Sequence, residues 1–319
     1  MGASTQLWRM DTLKRVFSQI TNGNHSLTNW DYNSKSNLHV FGINTIENPG
    51  DLYLRGKTQK KITSHYDYIK MEFNLPTQKV VSWNGEDGVR VEGILYLPHN
   101  FQESKKYPLV VQTHGGPRSS DKYGFSRSPT RYNAVLTGKG YVVLQPNYRG
   151  STGYGDAFLR DMVGSYFNQS HLDVMTGVDY LIDKGIADPD KLIKMGWSAG
   201  GHMTNKIITH TDRFKAASSG AGAVNWIGMY AQSDVRLNRT AWFGGNPWQK
   251  DAPIEVFWNN SPLKDIYKVK TPTLVLVGGN DKRVPPTQSV ELFRALRSLG
   301  VETKLLIAPG EPHGWRKLS

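Results

Sequence analysis

Five short apolar runs, each leading into a glycine-rich or polar loop, constrain this chain more than any other feature. They are Leu109-Val110-Val111, Tyr141-Val142-Val143-Leu144, Leu192-Ile193-Lys194-Met195, Thr273-Leu274-Val275-Leu276-Val277 and Leu305-Leu306-Ile307. All are too short for helices and rich in leucine or β-branched residues, and they lack polar alternation, which suits strands buried on both faces of a mainly parallel sheet. Between them, Leu172 to Lys184 and Ser289 to Ser298 carry apolar residues at helical spacing: Val174, Val178 and Leu181 in the first, Val290, Phe293 and Leu296 in the second. Gly185 follows the first as a helix stop. Strands alternating with helices imply right-handed crossovers and a doubly wound, mostly parallel α/β sheet. Ligands of such a sheet bind beyond the carboxyl ends of its strands.

The first 75 residues read differently. Ser26 to Tyr32, Leu38 to Asn44, Asp51 to Leu54 and Lys60 to His65 are separated by clusters of Asn, Gly, Pro and Ser, which predicts a four-stranded antiparallel β-meander. The expected organisation is therefore a meander over residues 1–75 and an α/β domain over residues 76–319, within what 319 residues allow.

The loops after the runs hold the chemistry. Leu192 to Met195 leads into Gly196-Trp197-Ser198-Ala199-Gly200-Gly201 and then a helical stretch from His202 to His210, the strand-to-helix setting of a G-x-S-x-G nucleophile elbow. Small residues at Gly196 and Gly200 allow the close backbone approach that such a turn forces. The run Thr273 to Val277 ends in Gly278-Gly279-Asn280-Asp281, placing an acid 83 residues after Ser198. Leu305 to Ile307 is followed by Pro309-Gly310-Glu311-Pro312-His313-Gly314, placing a histidine 32 residues after Asp281. Ser198, Asp281 and His313 thus appear in the order of an α/β-hydrolase triad, each behind a strand. A serine hydroxyl is a weak nucleophile until a neutral histidine takes its proton, and the carboxylate fixes that histidine's tautomer. After Leu109 to Thr113 comes His114-Gly115-Gly116-Pro117, matching the oxyanion loop of the fold, so the N–H groups of Gly116 and Ala199 are the expected oxyanion donors. His114 is read as a structural loop residue, with direct catalysis as the lesser alternative.

Other functional classes fare worse. The absence of cysteine excludes disulfides, thiolate metal sites and a cysteine nucleophile. The histidines show no metal-ligand spacing, and Gly150-Ser151-Thr152-Gly153-Tyr154-Gly155 matches neither a phosphate loop nor a dinucleotide fingerprint. No metal and no cofactor are expected. The net charge of +12 is scattered, without the basic runs of a nucleic-acid surface, so no nucleic-acid partner is expected. Asn24-His25-Ser26 and Asn238-Arg239-Thr240 match a glycosylation acceptor, which matters only in a secreted protein. With no signal-peptide pattern and no apolar stretch of membrane-spanning length, the expectation is a soluble, cytoplasmic protein without membrane partners.

From about Val80 to Trp315 the chain resembles the prolyl oligopeptidase family of serine peptidases, in particular its acylaminoacyl-peptidase and dipeptidyl-peptidase-like branch. The likeness rests on the His114 to Pro117 loop, on Asn147-Tyr148-Arg149-Gly150-Ser151-Thr152-Gly153-Tyr154-Gly155, and on Asp188-Pro189-Asp190-Lys191-Leu192 before the elbow. Gly278 to Asp281 with Lys282-Arg283-Val284-Pro285, and Glu311-Pro312-His313-Gly314, complete it. The segment from Trp242-Phe243-Gly244-Gly245-Asn246-Pro247-Trp248 to Ser261-Pro262 also resembles the family, which implies that Trp242, Phe243 and Trp248 line the substrate pocket; core packing is the competing reading. The resemblance implies that Trp8 to His65 is the remnant of a β-propeller that elsewhere restricts access to short peptides. One blade and a half cannot close a propeller, so the meander is expected to pack on the hydrolase or on a partner chain.

Two departures stand out. Ala199 occupies a position where many relatives have tyrosine, and the chain ends six residues after His313, where relatives continue through a final helix. The expectation is a fragment at both ends with apolar surface exposed near the sheet and a tendency to form a homo-oligomer. The implied function is acyl transfer to water from short peptides, N-acyl peptides or related amides and esters. The alternatives are a carboxylesterase for short acyl esters and a catalytically dead hydrolase fold used for binding.

Overall fold

The computed structural model describes residues 2–126 and 131–315; residues 127–130 and 316–319 of the expected second domain lie outside the described residues. In chain order the strands are β1 (Trp8–Asp11), β2 (Val16–Gln19), β3 (Ser26–Asn33), β4 (Leu38–Asn44), β5 (Asp51–Arg55), β6 (Gln59–Lys61), β7 (Thr77–Asn84), β8 (Arg90–Leu97), β9 (Tyr107–Thr113), β10 (Val142–Asn147), β11 (Ala187–Trp197), β12 (Ala216–Gly220), β13 (Thr273–Gly278) and β14 (Thr303–Ala308). The helices are α1 (Asp67–Glu72), α2 (Asn133–Gly138), α3 (Asp156–Arg160), α4 (Asn168–Asp183), α5 (Ala199–Ile208), α6 (Trp226–Gln232), α7 (Leu237–Phe243), α8 (Ile254–Asn259) and α9 (Pro286–Ser298).

Eight strands form one sheet in the order β14-β13-β12-β11-β9-β10-β8-β7. β8 pairs antiparallel with both β7 and β10, and the remaining neighbours are parallel, giving the α/β-hydrolase fold expected from the alternating runs. The central strands explain why those runs lack polar alternation. Leu109, Val111, Val142 and Leu144 point into a core shared with Val174, Val178 and Leu181 of α4 and Met203 and Ile207 of α5. Val110 and Val143 point the other way, against Ile94, Tyr96 and Tyr123. Fully burying each such side chain stabilises by about 1.5–3 kcal/mol, so both layers hold the sheet.

The edge departs from expectation. β14 closes the sheet, and Leu306 and Ile307 are each 42% exposed, so this run is not buried on both faces. In α9 the fully buried apolar residues are Leu292 and Leu296, packed with Val275 and Val269, while Val290 and Phe293 are only half-buried. β12 carries Ala216-Ala217-Ser218-Ser219-Gly220 and sits between β11 and β13 without large side chains. The reason is local: a Cβ on Gly220 would lie 2.2 Å from the Trp197 ring, so β11 supplies the bulk and β12 must be thin.

The N-terminal part holds the antiparallel meander β3-β4-β5-β6 and a separate hairpin, β1-β2, which the sequence reading lacked. The meander packs on the hydrolase, one of the two expected alternatives. Ser26 Oγ donates to the Tyr123 carbonyl at 2.6 Å, and the Phe125 N–H donates to Asn44 Oδ1 at 2.7 Å. Ala3 is buried against the second core layer, and its carbonyl accepts from Tyr123 N–H at 2.8 Å. Among the described residues no helix is long and apolar enough to cross a membrane.

Candidate active site

Ser198 sits between β11 and α5 with φ 62° and ψ −122°, a backbone conformation that L-residues rarely adopt. Close approach around it explains the flanking glycine at 200: a Cβ there would stand 2.1 Å from the Thr113 carbonyl oxygen. The elbow is thereby locked onto the end of β9, where the oxyanion loop starts. Thr113 Oγ1 donates to the Gly200 carbonyl at 3.0 Å. Lys194, fully buried in β11, donates to Thr113 Oγ1 at 2.7 Å and to Thr204 Oγ1 of α5 at 3.1 Å, tying strand, loop and helix together.

Asp281 follows β13 and His313 follows β14, parallel neighbours whose loops leave the same end of the sheet as the elbow. His313 Nε2 lies 2.8 Å from Ser198 Oγ, and His313 Nδ1 lies 2.7 Å from Asp281 Oδ2. The other carboxylate oxygen, Asp281 Oδ1, accepts from the N–H groups of Arg283 and Val284, both at 2.9 Å. The Asp281 side chain is fully buried and His313 is partly exposed, so the acid is held by the protein while the histidine faces the cavity. An ionised carboxylate only accepts hydrogen bonds, so the proton belongs on Nδ1 and Nε2 is left basic toward the serine. The three residues read from sequence as a triad are brought together. Trp197, the elbow residue before Ser198, adds a brace that no spacing in the chain signals: its indole N–H donates to the His313 carbonyl at 2.9 Å.

Gly116 and Ala199 both line the cavity beside Ser198. Ala199 opens α5, so its N–H is one of the four that a helix leaves without an internal partner. The loop bearing Gly116 is held from behind by the Asn147-Tyr148-Arg149 motif. Tyr148 Oη donates to the His114 carbonyl at 2.7 Å, and its ring stacks on His114 at 4.5 Å between centroids. His114 Nε2 lies 2.9 Å from Ser151 Oγ. Burial lowers the His114 pKa, which keeps the ring neutral and fits a structural role. Arg149 is itself clamped, its Nη2 2.6 Å from Asp173 Oδ1 in α4 and its Nη1 2.5 Å from Asp87 in the β7-β8 turn.

The cavity has a volume of about 260 Å³. Of the three aromatics expected to line it, only Trp242 does. Phe243 is 1% exposed and stacked on Phe257 at 4.6 Å, in the core. Trp248 is 62% exposed and meets Tyr230 edge-on at 5.3 Å, outside the lining. The walls come instead from Tyr166, His202, Trp226 and Met229, together with the arginines Arg118, Arg239 and Arg283. These residues lie in α5, α6, α7 and loops too far apart in sequence to be grouped by spacing. Among the described residues no group of three or more His, Cys, Asp or Glu is gathered as for a metal ion.

A model of the prolyl oligopeptidase family matches residues 129–319. An uncharacterized peptidase, YuxL, from Bacillus subtilis is 36% identical over 86% of this chain and 41% of its own length. The acylamino-acid-releasing enzyme of Arabidopsis thaliana is 36% identical over 70% of this chain and 30% of its own. The solved acylaminoacyl peptidase of Pyrococcus horikoshii superposes with a TM-score of 0.86 at 26% identity, covering 98% of this chain and 49% of that one. This chain therefore spans less than half the length of each of these relatives.

Proposed function

Because this chain belongs to the prolyl oligopeptidase family, we propose that it hydrolyses short peptides, N-acyl peptides and related amide or ester bonds through an acyl-enzyme formed on Ser198. The observation that carries this reading is the unbroken line from Asp281 through His313 to Ser198, with contacts of 2.7 and 2.8 Å. In this mechanism His313 Nε2 takes the proton of Ser198 as Oγ attacks the substrate carbonyl carbon. Asp281 stabilises the imidazolium that forms and holds the ring in place, while the N–H groups of Gly116 and Ala199 donate to the oxyanion. His313 then gives its proton to the leaving amine or alkoxide, and the C–N or C–O bond breaks. Water, deprotonated by the same nitrogen, attacks the acyl carbon; the bond to Ser198 Oγ then breaks as His313 returns the proton to that oxygen, releasing the acid.

The protein's contribution to this chemistry is pre-set positions. The strained elbow raises Oγ into the cavity, and two backbone loops fix the donors before substrate arrives. Reaction with a fluorophosphonate tests the reading: wild type gains one phosphonyl adduct by intact mass, carried on the Ser198 peptide. Folded wild type that gains no adduct would revive the binding-only reading.

A further inference from the structure

The cavity beside Ser198 is lined by three arginines and by no aspartate or glutamate among the described residues. Asp281 is buried behind His313 and is not part of the wall. Arg283 has its charge met by Asp234, at 2.7 Å from Nε. Among the described residues, Arg118 and Arg239 form no ion pair with a carboxylate. Arg239 lies against Trp226, Trp242 and Tyr166, its guanidinium carbon 5.1, 5.3 and 5.8 Å from the ring centroids. Its Nη1 donates to Tyr166 Oη at 3.3 Å, and its buried Nε lacks a hydrogen-bond partner. Arg118, on the loop that continues from Gly116, stacks over Trp242 at 5.7 Å. Trp242 is thus flanked by two guanidinium groups.

Aromatic faces orient an arginine and offset part of its desolvation, but they leave its forked donors without a matching acceptor. A carboxylate is the group whose geometry and charge complete such a fork. We propose that this cavity selects substrates whose acyl portion carries a carboxylate, an Asp- or Glu-like side chain, and that Arg239 is the residue that recognises it, with Arg118 adding positive field. The acyl side is indicated because the wall includes Ala199 and His202, on the helix that begins at the nucleophile, so the cavity adjoins the group that stays attached to Ser198. The inference rests on the serine-hydrolase reading and narrows its substrate class.

The test compares N-acetyl-Glu, N-acetyl-Gln and N-acetyl-Leu p-nitroanilides, which share one leaving group and differ only in the acyl side chain. Wild type should show kcat/KM for Glu at least about tenfold above the near-isosteric Gln, as expected when a charge-assisted bidentate pair is replaced by a neutral contact. Arg239→Met should bring the Glu-to-Gln ratio to about one, and Arg239→Lys should leave an intermediate ratio because charge remains and the fork is lost. A purely structural Arg239 would lower both substrates together and leave the ratio intact, which overturns the inference. So does a wild-type preference for Gln or Leu over Glu. Failure of wild type to react with a fluorophosphonate overturns the hydrolase reading and this inference together, whereas labelling without a Glu preference overturns the inference alone.

Discussion

Two buried histidines, one in the cavity wall and one in α4, should make the fold acid-sensitive in a calculable way. His202 of α5 is 1% exposed, lies 3.0 Å from the Ala223 carbonyl through Nδ1, and has its pKa lowered from 6.5 to about 3 by burial. His171 of α4 is pushed from 6.5 to about 4, by burial first and then by His210, whose ring centroid lies 4.3 Å away. A histidine held neutral in the folded state takes its proton only after unfolding. The unfolded chain therefore binds more protons below about pH 6.5, and stability is lost as pH falls from there toward the folded values. At pH 5.0, about 1.5 units below the unfolded pKa, each histidine costs about 2 kcal/mol at 1.36 kcal/mol per unit, so the pair costs about 4 kcal/mol relative to pH 7.5. Urea unfolding followed by tryptophan fluorescence at the two pH values measures this directly. Carboxylates and the other histidines whose pKa burial lowers, His114 and His210 among them, also contribute, so the share of each of the two is isolated by His202→Gln and His171→Gln. Each should remove about 2 kcal/mol of the loss, whatever its baseline stability. If His202→Gln retains the full wild-type pH dependence, the reasoning about burial is refuted.

Three further perturbations probe the site and its supports. Asp281→Asn should leave the unfolding midpoint near wild type and lower kcat by about 10³- to 10⁴-fold on any hydrolysed substrate, because the amide no longer fixes the His313 tautomer; a loss below tenfold would contradict the assigned role. Gly200→Ala places a Cβ 2.1 Å from the Thr113 carbonyl oxygen, a backbone clash that should cost about 1–3 kcal/mol in urea unfolding and slow fluorophosphonate labelling at least about tenfold; unchanged labelling would mean the elbow tolerates displacement from the oxyanion loop. Arg149→Met leaves the fully buried Asp173 carboxylate uncompensated and should cost about 3–5 kcal/mol of stability by the same assay, with Arg149→Met/Asp173→Leu recovering much of it.

The parts of this structure that were legible from sequence are those where local chemistry leaves few choices. A serine between glycines after an apolar run, an acid after the next and a histidine after the last can meet only if the strands run parallel and end on one side of the sheet, and Ser198, Asp281 and His313 do meet. The central strands were legible because both of their faces are buried. β12 was missed because a strand that must fit beneath Trp197 carries alanine, serine and glycine, which have weak strand preference. β1 and β2 escaped because every residue in them is exposed, so no buried face imposes a pattern. The β14 run was over-read as buried on both faces, since a hydrophobic run does not distinguish an edge from a centre. Pocket lining was the least legible layer. Trp242, Phe243 and Trp248 lie within one segment, yet they end respectively in the cavity wall, the core and at the surface, separated by the direction in which α7 and the following loop present them. The arginines that give the cavity its charge come from three separate segments, and only the tertiary arrangement brings them to one wall.

The proposed acyl-enzyme on Ser198, activated by His313, is tested most directly by turnover of a matched p-nitrophenyl ester and p-nitroanilide by wild type and by Ser198→Ala. Hydrolysis of both substrates by wild type and of neither by the variant, with folding of the two proteins unchanged, is the predicted result. Hydrolysis of the ester alone would favour the carboxylesterase reading over the peptidase one, and equal turnover by Ser198→Ala would contradict the acyl-enzyme on Ser198.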